Sequence, residues 1–534
     1  LKADIRKRDA VVKAFQHAWS AYEQDAFGAD EYHPISHRGS NLTTSTSLSG
    51  VRTSRGIGYT IIDALDTMLL MGEPLAPQYE KAKAWVEREL PRGWMRVGSV
   101  STFETTIRTL GGLLSAYHLS QDPMFLERAA ELGARLLPAF GEDSGIPSAE
   151  VWLGSRDPPI APEDFDAESS GQAATLQLEF RYLAHALREW NDKEFWYKAE
   201  HVMRVLNRER LESGLAPHKL NTTDGSFLWS SVRMGSSGDS YYEYLLKQYI
   251  QTNRTESVYL QMYTDAMRGV QEHMVQRSPW KGHTYITELV PVPGRDDWTG
   301  LFVPSAKQDH LACFLAGSLM LGATREMGKN LQHLRASVPP QQTELTAEGQ
   351  RDWKVGLALL EGCMDTTKTL TGLAPESVWW RADDQQALPD EPGQQRDWYI
   401  MGASKFWPPY DARYILRPEI AESVFLAWRL TGARRYRTYA WNIFTAIEMY
   451  CRLPEGGYAT VMDVDNLPVK YEDKQETFFL SETLKYLYLT FADENVLDLN
   501  EVVFNTEAHP LPIFTPTIKP RFTEYSALKP APGT

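Results

Sequence analysis

The chain has 534 residues, with 55 Lys and Arg against 70 Asp and Glu, a formal net charge of −15, and 43% hydrophobic and 11% aromatic residues. That is the composition of a folded globular protein, not of a disordered or collagenous one. The acidic balance argues against nucleic acid as a partner, because phosphate binding needs a basic face.

Taken in chain order, helical periodicity dominates. Phe103–Ser120 places Phe103, Ile107, Leu110, Leu113, Leu114 and Tyr117 in one apolar stripe. Phe125–Leu136, Gln177–Trp190, Phe195–Leu206, Ser240–Ile250, Ala421–Leu430, Tyr436–Tyr450 and Glu482–Phe491 also read as helices. Polar turns at Leu119–Asp122, Gly141–Gly145, Trp190–Asp192 and Leu430–Gly432 separate them. Strand signals are few and short, at Gly456–Val461 and Val502–Phe504. The expected fold class is all-α. Repeated helix pairs can stack into an open solenoid or close into an α/α barrel, and the irregular spacing favours the barrel.

Length alone suggests about three or four domains. No Ser/Gly-rich or Pro-rich spacer interrupts the chain before Pro512, so one domain over 1–513 is expected, followed by a Pro-rich tail over 514–534 that wraps the surface or frays. No apolar run reaches the roughly 18–20 residues of a membrane span. No signal peptide is visible; the chain begins with Leu1, and an N-terminal segment is expected to have been removed, which leaves the native localisation open.

Three cysteines, Cys313, Cys363 and Cys451, cannot all pair within the chain. They are either three buried thiols or one disulfide and one free thiol, and spacing alone does not choose the pair. Asn41, Asn221 and Asn253 each begin an Asn-x-Ser/Thr sequon, compatible with a secretory-pathway protein.

The informative feature is a set of acids inside or beside apolar helical runs: Asp63, Asp66, Glu104, Asp239, Glu243, Asp309, Glu376, Glu419, Glu422, Glu482 and Glu507. Each has a plain structural explanation. Glu104, Asp239 and Glu419 lie near helix starts, where a carboxylate favours the positive end of the dipole. Glu104 and Arg108 stand at i, i+4 and can form a simple ion pair. Together, however, so many acids with so few cations are costly to bury unless a ligand or a cation uses them. A polar cavity for a hydroxyl-rich ligand would use them, and the aromatics beside them (Tyr241, Tyr242, Phe478, Phe479) suit stacking on sugar faces. No P-loop, dinucleotide fingerprint, zinc-protease helix, nucleophile elbow or paired C-x-x-C is present. An oxygen-rich donor set favours Ca²⁺ if a metal is bound.

Seven blocks carry a resemblance: Ile62–Met68 (IDALDTM), Thr102–Tyr117 (TFETTIRTLGGLLSAY), Gly238–Lys247 (GDSYYEYLLK), Asp309–Phe314 (DHLACF), Leu416–Ser423 (LRPEIAES), Glu482–Tyr488 (ETLKYLY) and Phe504–Pro510 (FNTEAHP). In that order the chain resembles the class I α-1,2-mannosidases of glycoside hydrolase family 47, of the fungal-like endoplasmic reticulum and Golgi mannosidase I type. The resemblance implies an (α/α)7 barrel plugged by a C-terminal β-hairpin. It implies Ca²⁺-dependent, inverting removal of α-1,2-linked mannose from high-mannose N-glycans on glycoproteins. Localisation in the lumen of the endoplasmic reticulum or Golgi is expected, as a type II membrane protein or a secreted one, and the protein is expected to be a monomer.

By the same resemblance, Thr506 supplies its hydroxyl and carbonyl to Ca²⁺. Glu376, Glu422, Glu482 and Glu507 hold the surrounding waters or the sugar. Glu104 is the general acid, directly or through a water, Glu419 the general base, and Asp239 a third acid. An inverting enzyme needs its two carboxyls about 6.5–9.5 Å apart. Arg108 and Arg417 bind sugar hydroxyls, and Phe478 packs against the terminal mannose. Glu243, Asp309 and His310 shape the leaving-sugar side, and Cys313 pairs with Cys363, leaving Cys451 free. There are three departures from the family pattern. Ala64 stands where Ser is usual. Ser237 replaces an Arg typical of enzymes that remove one specific mannose, which should relax branch selectivity towards broader, Golgi-like trimming. Gly171-Gln172 stands where Ala-Glu is frequent.

Two other readings remain at this stage. One is a glycan-binding quality-control relative of the same fold with weak free-standing activity. The other is a helical-repeat scaffold for proteins, against which the acids of the seven blocks count.

Overall fold

The computed structural model describes residues 1–42, 45–46, 52–53, 56–95, 97–154, 167–188, 193–292, 302–325, 335–381, 396–402 and 408–525. Helices dominate: α1 (Ile5–Asp25), α2 (Tyr59–Met71), α3 (Ala76–Arg88), α4 (Gly111–Ser120), α5 (Pro123–Leu136), α6 (Gln177–Ala186), α7 (Glu194–Glu209), α8 (Asp239–Gln251), α9 (Ser257–His273), α10 (Phe314–Arg325), α11 (Ala347–Asp365), α12 (Glu419–Thr431), α13 (Arg434–Tyr450) and α14 (Leu484–Phe491). The helix expected over Gln177–Trp190 ends at Ala186, and the turn expected at Trp190–Asp192 lies outside the described residues.

Two kinds of helix alternate. In α2, α8, α10, α12 and α14 nearly every side chain is buried. In α5 and α7 a single stripe is buried, such as Phe125, Ala129, Leu132 and Leu136 of α5, as expected for a helix with one face on a core. Local signals fix the ends. Asp122 accepts the Met124 N–H ahead of α5, with Pro123 in its first turn. Gly432 closes α12 in the left-handed region (φ 66°), returning its N–H to the Trp428 carbonyl.

The buried helices follow one another around a cycle. α2 packs on α4, α4 on α6, α6 on α8, α8 on α10, α10 on α12 and α12 on α14; the π-helical turn Phe479–Thr483, which leads into α14, packs back on α2. Each also packs on one further helix: α3 on α2, α5 on α4, α7 on α6, α9 on α8, α11 on α10, α13 on α12 and α1 on α14.

Strands are more numerous than their sequence signals suggested, but each has only two to four residues. Runs that short carry no alternation to detect. Of the expected strand at Gly456–Val461 only Thr460–Val461 forms, paired with Tyr471–Glu472. One sheet joins β1 (Lys307–Asp309), β2 (Ser377–Trp380) and β3 (Trp398–Tyr399), both pairs antiparallel. The C-terminal hairpin pairs β4 (Val502–Phe504) with β5 (Pro510–Pro512), Phe504 opposite Pro510. It packs on α4, α6 and α8.

Beyond the hairpin the chain runs along the helices. The Phe514 N–H reaches the Gln251 carbonyl (2.8 Å), both Glu200 oxygens accept the Arg521 N–H (2.9 and 3.0 Å), and Phe514, Ile518 and Phe522 are buried. Residues 526–534 lie outside the described residues. Cys313 is disulfide-bonded to Cys363, tying the entry of α10 to the end of α11, and Cys451 is a buried free thiol. Among the described residues no helix is long and apolar enough to cross a membrane.

Candidate active site

The side chains singled out from sequence gather in two clusters around two arginines. Arg108 lies in a π-helical stretch, Thr105–Leu110, between the short helix Thr102–Glu104 and α4. Such insertions re-aim side chains and are frequent at functional sites. The Arg108 Nε donates to Glu104 Oε2 (2.7 Å), and Nη1 donates to Glu507 Oε2 (2.8 Å) and Thr477 Oγ1 (2.9 Å). Asp63 Oδ2 is 3.4 Å from the same nitrogen. Sequence reasoning anticipated the contact with Glu104. It missed Thr477 altogether and gave Asp63 no role.

Arg417 makes the second cluster. Its fork grips Glu376 with two parallel bonds of 2.7 and 2.6 Å, the strongest geometry a guanidinium and a carboxylate can adopt. Its Nη1 stands 3.7 Å from Glu419 Oε1. On the other side of Glu419, His310 Nε2 is 3.7 Å from Oε2, and the His310 N–H donates to the Glu376 carbonyl (2.8 Å). Burial, aided by Arg417, holds the His310 pKa down to about 3, so the imidazole is neutral near pH 7. Asp309 accepts from Ser377 Oγ (2.8 Å) and pairs with Lys307 (2.8 Å). The Phe478 ring lies 5.9 Å from the Arg108 guanidinium and 5.8 Å from that of Arg417, so one aromatic ring bridges the clusters.

Asp239 and Glu419 are the first residues of α8 and α12. A helix N-terminus favours the ionised carboxylate, yet burial outweighs it here and raises each pKa to about 7. Glu243 and Glu419 add to the rise at Asp239; Glu376 and Glu243 add to it at Glu419. Glu422, one turn into α12, is raised to about 8 by burial, against Lys247. Lys247 Nζ is 2.5 Å from Glu243 and 3.9 Å from Glu422. Glu482 sits in the second π-helical turn. Burial, then Glu507, Glu419 and Glu422, pushes it well above the carboxylate range.

Thr506 occupies the tip of the β4–β5 hairpin, half-buried, with its N–H 3.3 Å from the Tyr244 hydroxyl. Asn505 builds the tip. Its Oδ1 accepts from the Glu507 and His509 N–H groups (both 2.9 Å), and its Nδ2 donates to the Ile107 carbonyl (2.9 Å) and Glu179 Oε1 (2.8 Å). Tyr244 donates to the same Glu179 oxygen (2.7 Å). Behind the tip, His509 bridges Asp66 (2.7 Å) and Asp63 (3.2 Å), and Lys485 pairs with Asp66 (2.9 Å) and donates to the Ala508 carbonyl (2.6 Å). Asn505, Glu179, His509, Lys247 and Lys485 were missed. A signal existed: the two lysines are lone cations in apolar runs, the mirror image of the acids that were noticed.

The three departures also find their places. Ala64 is buried within α2. Gly171 and Ser237 are neighbours: the Gly171 N–H donates to the Ser237 carbonyl (2.9 Å). Among the sequons, Asn253 is exposed and Asn221 half-buried; Asn41 accepts the Asp30 N–H (3.1 Å), and its partner Thr43 lies outside the described residues.

Buried carboxylates, two arginines paired with them and an aromatic ring between the two suit a carbohydrate-cleaving class of protein. The comparisons agree. The model of glycosyl hydrolase family 47 matches residues 14–513. A mannosyl-oligosaccharide 1,2-alpha-mannosidase of Arabidopsis thaliana is 38% identical over 95% of this chain and 79% of its own length. The endoplasmic reticulum mannosyl-oligosaccharide 1,2-alpha-mannosidase of Schizosaccharomyces pombe is 38% identical over 96% of this chain and 90% of its own. Among solved structures, an alpha-1,2-mannosidase from Trichoderma reesei superposes with a TM-score of 0.78 at 26% identity, covering 96% of this chain and 100% of that one. The chain belongs to glycosyl hydrolase family 47 and is a glycoside hydrolase.

Proposed function

We propose that this glycoside hydrolase is a Ca²⁺-dependent, inverting exo-α-1,2-mannosidase. It trims terminal α-1,2-linked mannose from high-mannose N-glycans on glycoproteins, as a monomer in the lumen of the endoplasmic reticulum or Golgi. The observation that carries the reading is the continuity of the two clusters: Glu104 through Arg108 to Glu507 beside Thr506, and Asp239 and Glu419 beside Arg417, with Phe478 between. The names of the relatives and the disulfide Cys313–Cys363 support it. The cycle of seven buried helices, each with a packing partner, supports an (α/α)7 barrel over 1–513, and the packing of the β4–β5 hairpin on α4, α6 and α8 supports its role as the plug. We read Asn221, the last residue of the short strand Lys219–Asn221, and Asn253, in the turn after α8, as glycan acceptors, with Asn41 a third.

The donor chemistry at the hairpin tip fits Ca²⁺. Among the described residues no cluster of three or more His, Cys, Asp or Glu is arranged to ligate a metal directly. The fit is to the hard oxygens of Thr506, with Glu422, Glu482 and Glu507 positioned to hold waters and sugar hydroxyls around it. Burial first, then neighbouring carboxylates, raises the pKa of all three: Glu507, Glu419 and Glu422 act on Glu482, Glu243 and Glu419 on Glu422, and Asp63 and Glu104 on Glu507; a dication beside them favours the ionised form. When bound, Ca²⁺ would supply a fixed positive centre that orients the hydroxyls of the terminal mannose.

The protein's own groups divide the rest of the chemistry. Phe478 stacks on the terminal sugar and excludes water from that face. Arg108 and Arg417 donate to its hydroxyls. Glu419, ionised, takes a proton from a water as the water oxygen attacks the anomeric carbon. The bond from that carbon to the leaving oxygen breaks, and that oxygen takes a proton from Glu104, directly or through a water, with Asp239 as the third acid. The released mannose carries the inverted anomeric configuration. Asp309, neutral His310 and Glu243 face the leaving sugar, and Ser237 borders that side with a short side chain where the resemblance expects an arginine.

The test is digestion of a nine-mannose N-glycan with and without EDTA, products resolved by isomer. The expected result is release that stops in EDTA, returns with Ca²⁺ and continues towards five mannoses. A single eight-mannose isomer would remove the relaxed selectivity ascribed to Ser237. No release with Ca²⁺ present would replace the enzyme with a glycan-binding relative.

A further inference from the structure

Asp239 stands at the exit of a turn with almost no room in it. The Gly238 and Asp239 N–H groups both fold back onto the Gly235 carbonyl (3.1 and 3.0 Å). Ser237, between them, lies in the left-handed region (φ 72°), which an L side chain seldom adopts. Something must hold it there. The Ser237 carbonyl accepts two hydrogen bonds, from the Gly171 N–H (2.9 Å) and from Ser169 Oγ (2.9 Å), at the start of the short helix Ser170–Ala173.

The seat leaves no space for a side chain. A Cβ at Gly171 would stand 2.9 Å from the Ser237 oxygen and 3.0 Å from its carbonyl carbon; one at Gly238 would stand 2.4 Å from the Arg233 carbonyl oxygen; one at Gly235, 2.4 Å from Asp309 Oδ2. Two of these three obstacles are main chain, which cannot swing aside as a side chain can. The Asp239 carboxyl is itself held by its neighbour's main chain, Ser240 N–H to Oδ1 at 2.8 Å. Its position therefore follows the backbone of the turn.

We propose that Gly171 is a positioning residue for Asp239: its bare Cα lets the Ser237 carbonyl seat against the helix Ser170–Ala173, and that seat fixes the turn from which the Asp239 carboxyl projects. Two residues far apart in sequence, each a departure from the family pattern, are thus one mechanical unit: the Ala frequent at 171 in the family does not fit here while Ser237, at φ 72°, holds its carbonyl in this seat. A methyl group at 171 displaces the Ser237 peptide, and the displacement passes along two peptide units to Asp239. The inference rests on the reading of Asp239 as one of the acids of the site.

The test uses the full chain with Ca²⁺ and an α-1,2-linked mannobiose, reading kcat, KM and the pH dependence of kcat/KM. Gly171→Ala is expected to lower kcat by about tenfold, since relieving these contacts takes a shift well short of the about 1 Å that costs about a hundredfold, with KM changing far less and the pH limb that reports Asp239 displaced. Gly171→Ala combined with Ser237→Gly is expected to regain part of the loss, since glycine lets the carbonyl turn away from the new methyl without strain. Ser169→Ala, which removes the second bond to the carbonyl together with the cap that accepts the Gln172 N–H (3.1 Å) at the start of the same helix, is expected to move kcat and the same limb in the same direction by less. A folded Gly171→Ala with wild-type kcat and limb, or with a loss confined to KM, overturns the proposal. If Gly171→Ala fails to fold, Ser169→Ala decides, and its indifference overturns the proposal equally. A wild-type chain that releases no mannose overturns the function proposed above and this role with it; an active wild type with indifferent variants overturns only the positioning.

Discussion

Two buried groups of charge behave in opposite ways. Behind the hairpin tip, burial alone would raise Asp66, but Lys485 and His509 outweigh it and hold its pKa down to about 2; burial would likewise lower His509, but Asp66 and Asp63 outweigh it and raise it to about 9. A few residues away, Asp239 and Glu419 are raised to about 7 and Glu422 to about 8. Both groups set carboxylates deep in the protein, at 0% side-chain exposure for Asp66 and at 11–12% for Glu422 and Glu419. The difference is counter-charge. Asp66 has a lysine at 2.9 Å and an imidazole at 2.7 Å, whereas the acids of the second group face mostly one another, with Lys247 and Arg417 shared among them. The first group is balanced and can only hold structure. The second is held close to the point of exchanging protons, as acid–base chemistry near neutral pH requires.

The comparison breaks most visibly in activity. Glu419→Gln keeps the shape and removes the proposed base. Turnover of a high-mannose glycan is expected to fall by about a thousandfold, while the thermal midpoint in chelator does not fall, because one like charge has left a crowded group. A midpoint that dropped sharply would place Glu419 with the balanced group. Next comes Asp66→Asn, which strands Lys485 and His509 without their buried counter-ion. Chemical denaturation is expected to show a loss of about 3–5 kcal/mol. An unchanged midpoint there would deny the balance.

Metal addition sharpens the contrast at intermediate size. Saturating Ca²⁺ is expected to stabilise the chain, by about 2.7 kcal/mol at a hundredfold excess over its dissociation constant. Thr506→Ala is expected to abolish that gain in a melting experiment without Asp66→Asn doing so. The smallest expected effect is on pH dependence in chelator. Asp239 and Glu419 have folded values near 7, above their ordinary 3.8 and 4.5. The folded state therefore binds their protons more tightly, and their contribution to stability is present at low pH and lost as pH rises through 7. His509 acts in the same sense between 6.5 and about 9, and Asp66 costs stability only as pH falls from 3.8 towards 2. His310, held down to about 3, acts in the opposite sense as pH falls below 6.5, so the check is the difference between variants: between pH 8 and 5, Glu419→Gln should gain less urea resistance on acidification than the wild type. An unaltered slope would mean Glu419 titrates in the ordinary range.

Much of this was legible along the chain. The 3.6-residue periodicity located eight helical runs, though not the long α9 and α11, and the order of the seven blocks identified the family, because both depend on residues close in sequence. The acids stood out for a simple reason: a carboxylate within an apolar run is costly wherever it ends up. Other features depended on contacts no local pattern carries. The π-helical turns at Thr105–Leu110 and Phe479–Thr483 look like plain helix in sequence, and only packing inserts the extra residue. The strands of two to four residues exist because a neighbour pairs with them. The apolar-run pattern presented Asp66 and Glu419 alike and only the resemblance gave Glu419 a role; the tertiary structure supplies the physical difference by placing Lys485 and His509 beside Asp66. It likewise made Gly171 and Ser237, 66 positions apart in the numbering, a single seat for one carbonyl. Composition and spacing determined which residues this protein had to account for; the distance from each charge or carbonyl to its partner, which only the folded chain fixes, decided which hold the molecule together and which were left able to react.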